Sequence, residues 1–159
     1  MRRRPRPGRS VRLRLGTRAD VSRLEALESR VFTHDRLSRR SFARFLNAVS
    51  ASLIVADDGA LCGYALVLFR SGSRIARVYS IAVDRDNAGR GLGSMLLRVA
   101  EQAACRRGAR SMRLEVREDN AAAMRLYRKA GYGPIDRLPA YYDDGSNALR
   151  LQKRLGSGL

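Results

Sequence analysis

Tryptophan is absent, aromatic residues make up 6% of the chain, and His34 is the one histidine. Cys62 and Cys105 are the two cysteines, with neither Cys-x-x-Cys nor a Cys/His ligand spacing, so a zinc site is excluded and no metal is expected. A Ser-His or Cys-His nucleophile would have to use His34, in the polar stretch Thr33-His34-Asp35-Arg36, where nothing nearby orients an imidazole. Two thiols expected to be buried fit a reducing compartment. No run approaches the roughly 18 apolar residues that a membrane span needs. No apolar segment follows the basic start, so no signal peptide is expected either, and the reading is cytoplasmic.

Acidic residues are also few: 15 against 32 basic ones, for a net charge of +17, and Lys129 and Lys153 are the only lysines. Two causes stay open. One is a codon bias that enriches arginine and alanine together. The other is an acidic partner: nucleic acid, a ribosomal surface or a polyanionic cofactor. Residues 1–9, MRRRPRPGR, read as a flexible basic tail, either a start-site artefact or a tether that contacts nucleic acid.

The 159 residues suit one domain, expected over 10–155, with 156–159 fraying. Hydrophobic residues at 45% are enough for a core without staples. Val11, Leu13 and Leu15 alternate as in a half-buried strand. Thr17 and Asp20 have capping-box spacing ahead of a helical stripe of Val21, Leu24, Leu27 and Val31. Phe42, Phe45, Leu46 and Val49 imply a second helix. Ser52–Ala56, the turn Asp57-Asp58-Gly59 and the apolar run Ala60–Phe69 read as a hairpin, and Ile75–Val83 as its third strand. A helix follows from Gly91 to Arg107, stopped by Gly108. Ser111–Arg117 alternates as a strand, with Met112, Leu114 and Val116 on one face and Arg113, Glu115 and Arg117 on the other. Asn120 caps a short helix closed by Gly131, and strands near Tyr132–Arg137 and Ala148–Arg154 complete the sheet. The order βααβββαβαββ predicts a mixed α/β domain, one mixed sheet flanked by helices.

Gly89, Gly91 and Gly93 stand between a strand and a helix. Glycines let a backbone approach a ligand closely, and the first N–H groups of a helix lack partners, so this turn can hold a phosphate. Neither the dinucleotide pattern G-x-G-x-x-G nor Gly-Lys-Ser/Thr is met. G-x-G-x-G alone is weak, and a loop that merely turns tightly is the alternative.

Taken together, Ala88-Gly-Arg-Gly-Leu-Gly93, Ser80-Ile-Ala-Val-Asp84, Leu114-Glu-Val-Arg117, Asn120-Ala-Ala-Ala123 and Leu126-Tyr127 resemble the GNAT superfamily of N-acetyltransferases. Within it the likeness is to the ribosomal-protein-alanine N-acetyltransferases and related N-terminal acetyltransferases, which Tyr141-Tyr142 before Asp144-Gly145 also resemble. Ala88 departs from the Arg/Gln that opens the family's glycine signature, where backbone amides rather than that side chain hold the pyrophosphate.

The resemblance implies acetyl-CoA as co-substrate and direct transfer to a primary amine, without a covalent intermediate. It assigns the cofactor to Ile81, Ala82, Val83, Gly89, Arg90, Gly91, Leu92, Gly93, Ser94 and Asn120. Glu115 becomes the base and Tyr127 the acid that protonates the departing sulfur. Tyr141 and Tyr142 border the acceptor groove, and the acceptor is a protein or peptide N-terminus, for which a ribosomal protein is the model. The plainer readings are a strand carboxylate paired with Arg113 or Arg117, a core tyrosine, a helix cap at Asn120, and tyrosines that cover the sheet end. In the subgroup the Phe ending the first helix is followed by Pro-Trp; here Phe32 is followed by Thr33-His34-Asp35. That leaves a lysine side chain or a small amine as alternative acceptors, and a basic nucleic-acid-binding module as an alternative of another class.

Overall fold

The computed structural model describes residues 10–156. The basic tail at 1–9 and positions 157–159 of the expected frayed end lie outside the described residues; Gly156 has no regular structure. Among the described residues the elements are β1 (Arg12–Leu15), α1 (Val21–Val31), α2 (Arg39–Asn47), β2 (Ala51–Asp57), β3 (Leu61–Leu68), β4 (Ile75–Val83), α3 (Leu92–Arg106), β5 (Ser111–Arg117), α4 (Ala121–Lys129), β6 (Gly133–Leu138) and β7 (Ala148–Arg154). Short 3-10 turns at Arg18–Asp20 and Arg85–Asn87 precede α1 and α3. This is the predicted order.

The strands form one sheet in the order β1-β2-β3-β4-β5-β7-β6, in which only β4 and β5 are parallel. Each face carries its own core. Leu24, Leu27 and Phe42 of α1 and α2 pack on Leu53, Val55, Tyr64 and Leu66. On the other face Leu96, Leu97 and Ala100 of α3 and Met124 of α4 pack on Ile54, Val67, Val78, Met112 and Leu114. Adjacent residues of β2 and β3 therefore enter opposite cores, and the strand interior is apolar throughout, as a sheet covered on both faces requires.

The helix ends follow the local chemistry. Ser38 Oγ accepts the Ser41 N–H at 3.1 Å to start α2. Gly108 and Gly131 take φ of +84° and +100°. Each closes a Schellman turn: the Ala109 N–H reaches Ala104 and the Tyr132 N–H reaches Tyr127, both at 3.0 Å. Two expectations need correction. Val49 is not on α2, which stops at Asn47 because the chain must turn back into β2, and Val49 is 89% exposed. Cys105 is half-buried, whereas Cys62 is buried, with its thiol pushed up to about 11 by burial.

Asp20 ties the first strand to the first helix. Its buried carboxylate receives two bonds from Arg14, at 2.8 and 2.9 Å, one from Arg23 at 2.6 Å and the Thr17 N–H at 2.8 Å. The Arg14 hydrogen bonds hold this carboxyl well below the usual range. Stability from it is complete above the unfolded carboxyl pKa of about 3.9 and is lost as pH falls toward the depressed folded value. Asp20→Asn is expected to cost about 3 kcal/mol in urea unfolding at pH 7. The difference from the parent should shrink steadily below about pH 4.

Candidate active site

β4 pairs with β5 only over Ile75–Val78 against Ser111–Leu114. Beyond that the strands part. The cause lies on the other edge of β4: Leu66 faces Ser80 while Val67 faces Val78, so Tyr79 is an extra residue, a bulge that bends β4 away. β4 keeps its pairing to β3 as far as Val83, and β5 keeps its pairing to β7 as far as Arg117. The edges that face each other across the gap, Tyr79–Val83 and Glu115–Arg117, do not pair with one another.

A cavity of about 340 Å³ occupies this gap. It is lined from both faces of the sheet: Glu28, Phe32 and Leu37 from the α1 side, Val78, Val116 and Tyr127 from the α3/α4 side. Glu115, Asn120, Tyr127, Ile81, Tyr141 and Tyr142, all singled out from the sequence, line it together. Ala82, Val83 and Gly89–Ser94 do not; Ala82 and Val83 end the same strand, Gly89–Gly91 lie in the loop beside it and Leu92–Ser94 open α3.

Glu115 is neither solvated nor paired with Arg113 or Arg117. Its side chain is 7% exposed and clamped by arginines of the two neighbouring strands: Arg77 Nε at 3.0 Å, and Arg150 Nη2 and Nε at 3.2 and 3.3 Å. Arg113 bonds Gln152 instead, and Arg117 pairs with Asp35 and Asp144. Arg150 takes up Oε1 with two bonds and Arg77 one position of Oε2, so of the roughly four acceptor positions of a carboxylate one remains, on Oε2. Tyr127 is buried on α4, its ring edge-on to Tyr132 at 5.9 Å. Burial pushes its hydroxyl up to about 12, so it holds its proton through the neutral range. Tyr141 accepts from Arg77 at 3.1 Å and packs edge-on against Tyr142 at 5.0 Å, and Arg117 lies over the Tyr142 ring. Asn120 does cap α4, accepting the Ala123 N–H at 3.1 Å.

A second polar chain enters the cavity without a signal in the sequence. Tyr64 donates to the buried Glu28 at 2.6 Å and lies 3.0 Å from Ser80 Oγ. Glu28 also accepts the Leu37 N–H at 3.2 Å, which ties α1 to the segment after Phe32. Burial pushes the Glu28 carboxyl up from its ordinary value. Two strands and a helix converge here, so linear spacing cannot reveal the chain.

In the glycine loop, Gly89 and Gly91 take φ of +82° and +71°, and open space lies where a Cβ would stand. Gly93 is different: its Cβ would meet Leu126 at 3.2 Å, so this glycine lets α3 pack on α4. Leu92 buries its side chain and offers only its N–H, while Arg90 is tied to Asn87 and Asp58. Among the described residues no group of His, Cys, Asp and Glu can hold a metal, and no helix is long and apolar enough to cross a membrane.

The profile of the Acetyltransferase (GNAT) family matches residues 19–132. The chain belongs to that family. Like other GNAT proteins it is an acetyl-CoA-dependent N-acetyltransferase. It is 35% identical over 145 residues to the N-alpha-acetyltransferase RimI of Mycobacterium tuberculosis, covering 88% of this chain and 90% of that one. Its fold superposes on the ribosomal-protein-S18-alanine N-acetyltransferase of Escherichia coli with a TM-score of 0.81, at 25% identity, covering 94% and 99% of the two chains. It is also 36% identical over 101 residues to the streptothricin acetyltransferase of Streptomyces lavendulae, covering 61% and 53%.

The observed features fit the GNAT cofactor. An open strand edge with unpaired amides and carbonyls suits the amides of the pantetheine arm, which can add like a strand. A left-handed glycine turn with free space before a helix start suits the pyrophosphate. Gly91→Ala should cost about 1–2 kcal/mol of stability for the left-handed φ. It should weaken acetyl-CoA binding at least about tenfold, since the new methyl group stands in the open approach. A thermal-shift titration reads both.

Proposed function

We propose that this GNAT enzyme acetylates the α-amine of a protein or peptide N-terminus by direct attack in a ternary complex. The supporting observation is the gap lined from both faces. Glu115 stands on its α1/α2 face, where the acceptor enters, and Tyr127 on the α3/α4 face. The activities of the Mycobacterium tuberculosis and Escherichia coli proteins agree with this acceptor.

Acetyl-CoA supplies the acetyl thioester. Amides of Ile81, Ala82 and Val83 hold the arm along β4, and one of them polarises the acetyl carbonyl. Amides from Gly89 to Ser94 hold the pyrophosphate, and Asn120 borders the arm. An N-terminal amine has a pKa near 7.7–8.0, so roughly a tenth is neutral at pH 7 and Glu115 need not be a strong base. It orients the amine and accepts its proton, while Arg77 and Arg150 fix the carboxylate. Tyr127 donates to the sulfur as charge develops there. Tyr141 and Tyr142 border the acceptor backbone, and the Thr33-His34-Asp35 segment replaces the subgroup's Pro-Trp at the groove wall. The streptothricin relative favours a small amine as the second reading.

Glu115→Gln and Tyr127→Phe should each lower kcat about 10²-fold with little change in acetyl-CoA affinity. For the parent enzyme, kcat/KM should rise with pH through about 8 as the amine deprotonates. It should then stay level to about pH 10, because Tyr127 keeps its proton until about 12. A descending limb below pH 10 that persists in Tyr127→Phe would assign the acid role to another group. Thiol release is then compared for peptides with free or blocked N-termini, blocked peptides with lysine, and small amines including streptothricin. Free N-termini should be turned over fastest; turnover confined to lysine or small amines would overturn the acceptor.

A further inference from the structure

The two ends of the sheet differ in charge. At the active-site end, the loops after β2, β4, β5 and β6 hold Asp58, Asp84, Asp86, Glu118, Asp119, Asp143 and Asp144 against Arg85 and Arg90. At the other end, β4 and β5 begin and the antiparallel β7 finishes, with Ser111 facing Arg154. The connections there, Phe69–Arg74 and Arg107–Arg110, contain arginine and no acidic residue.

These segments enclose a wide hollow of about 1210 Å³. Arg74, Arg106, Arg107, Arg110 and Arg154 line it, and among the described residues no carboxylate does. All five are exposed. Among the described residues the ion pairs lie elsewhere, on Arg14, Arg23, Arg30, Arg77, Arg90, Arg117, Arg137, Arg150 and Lys153. Arg107 is held in place over the Phe69 ring, 4.2 Å from its centroid, and by the Val49 carbonyl. The loops at the active-site end thus carry seven carboxylates against two arginines, whereas the described lining of the hollow carries five arginines and no carboxylate.

We propose that this hollow is a docking surface for single-stranded nucleic acid, held by its phosphates. Guanidinium groups match phosphate geometry bidentately, and a concave basic surface tracks a flexible strand. A flexible strand can follow the floor of a concave surface, which a stiff duplex does less readily. Among the described residues no aromatic lines the hollow, so binding should be salt-dependent and tolerant of sequence. The surface lies opposite the acetyl-transfer gap, so both can be occupied together; the proposal does not depend on which amine is acetylated.

The test uses the full chain and a labelled 20-nucleotide RNA, with DNA of the same sequence in parallel, titrated from 50 to 300 mM salt. Five phosphate contacts give a slope of log K against log salt of about −3.5. Arg74→Glu/Arg110→Glu/Arg154→Glu should reduce the slope by about 2 and weaken binding at least thirtyfold. Arg39→Glu/Arg40→Glu/Arg44→Glu, an equal charge change on the exposed face of α2, should weaken it less than threefold. Melting temperature and acetyl-CoA binding verify that both variants fold. Equal losses in the two variants would assign binding to diffuse charge and overturn the proposal. So would tighter binding of a polyglutamate peptide of equal charge, or no RNA binding at 50 mM salt.

Discussion

The site depends on one failure of pairing: β4 cannot stay bonded to β5 beyond Val78 once the bulge at Tyr79 bends it. Buried backbone groups demand partners, and a sheet normally supplies them strand by strand. Here an edge opens inside the sheet rather than at its rim, between elements anchored on their outer sides by β3 and β7. The opening is therefore held rigidly, and it connects the two faces that otherwise carry separate cores. A cofactor can pair with the open edge from one side while an acceptor meets the acetyl group from the other.

Register explains the arginine clamp: Arg150 lies directly opposite Glu115, and Arg77, opposite Arg113, reaches it diagonally. Strands in register bring Arg77 and Arg150 to either side of Glu115, on the face that α1 and α2 leave uncovered. A carboxylate this enclosed would be expensive unpaired, and two guanidinium partners make it tolerable while leaving acceptor capacity toward the gap. The arginines around the gap also brace its rim. Arg77 supports Tyr141, and Arg117 joins Asp35, Asp144 and the Tyr142 ring. At the opposite end the five exposed arginines of the hollow lack such carboxylate partners among the described residues.

Much of this is legible in the sequence wherever it is local. Alternation places Glu115 on the strand face opposite Met112, Leu114 and Val116, and Gly108 and Gly131 mark helix ends through left-handed turns that favour glycine. The β4, β5 and β7 bounds agree for the same reason. What depends on register between distant strands is not legible: the clamp on Glu115, the Tyr64–Glu28–Ser80 chain, and the gap itself. Gly93 shows the limit at a single residue. Its place in the motif suggests ligand approach, but it spares room for Leu126 across the α3–α4 contact. Val49 fits a helical stripe that the chain abandons two residues earlier to enter β2.

The most direct measurement is backbone amide NMR of the full chain during titration with acetyl-CoA. If the open edge of β4 carries the cofactor, amides of Ile81, Ala82 and Val83 shift and gain protection from exchange together with those of Gly89–Ser94. The amides at the parallel pairing of Ile75–Val78 stay unchanged. Saturable binding that leaves Ile81–Val83 unshifted, or that perturbs instead the hollow at the far end of the sheet, would contradict it.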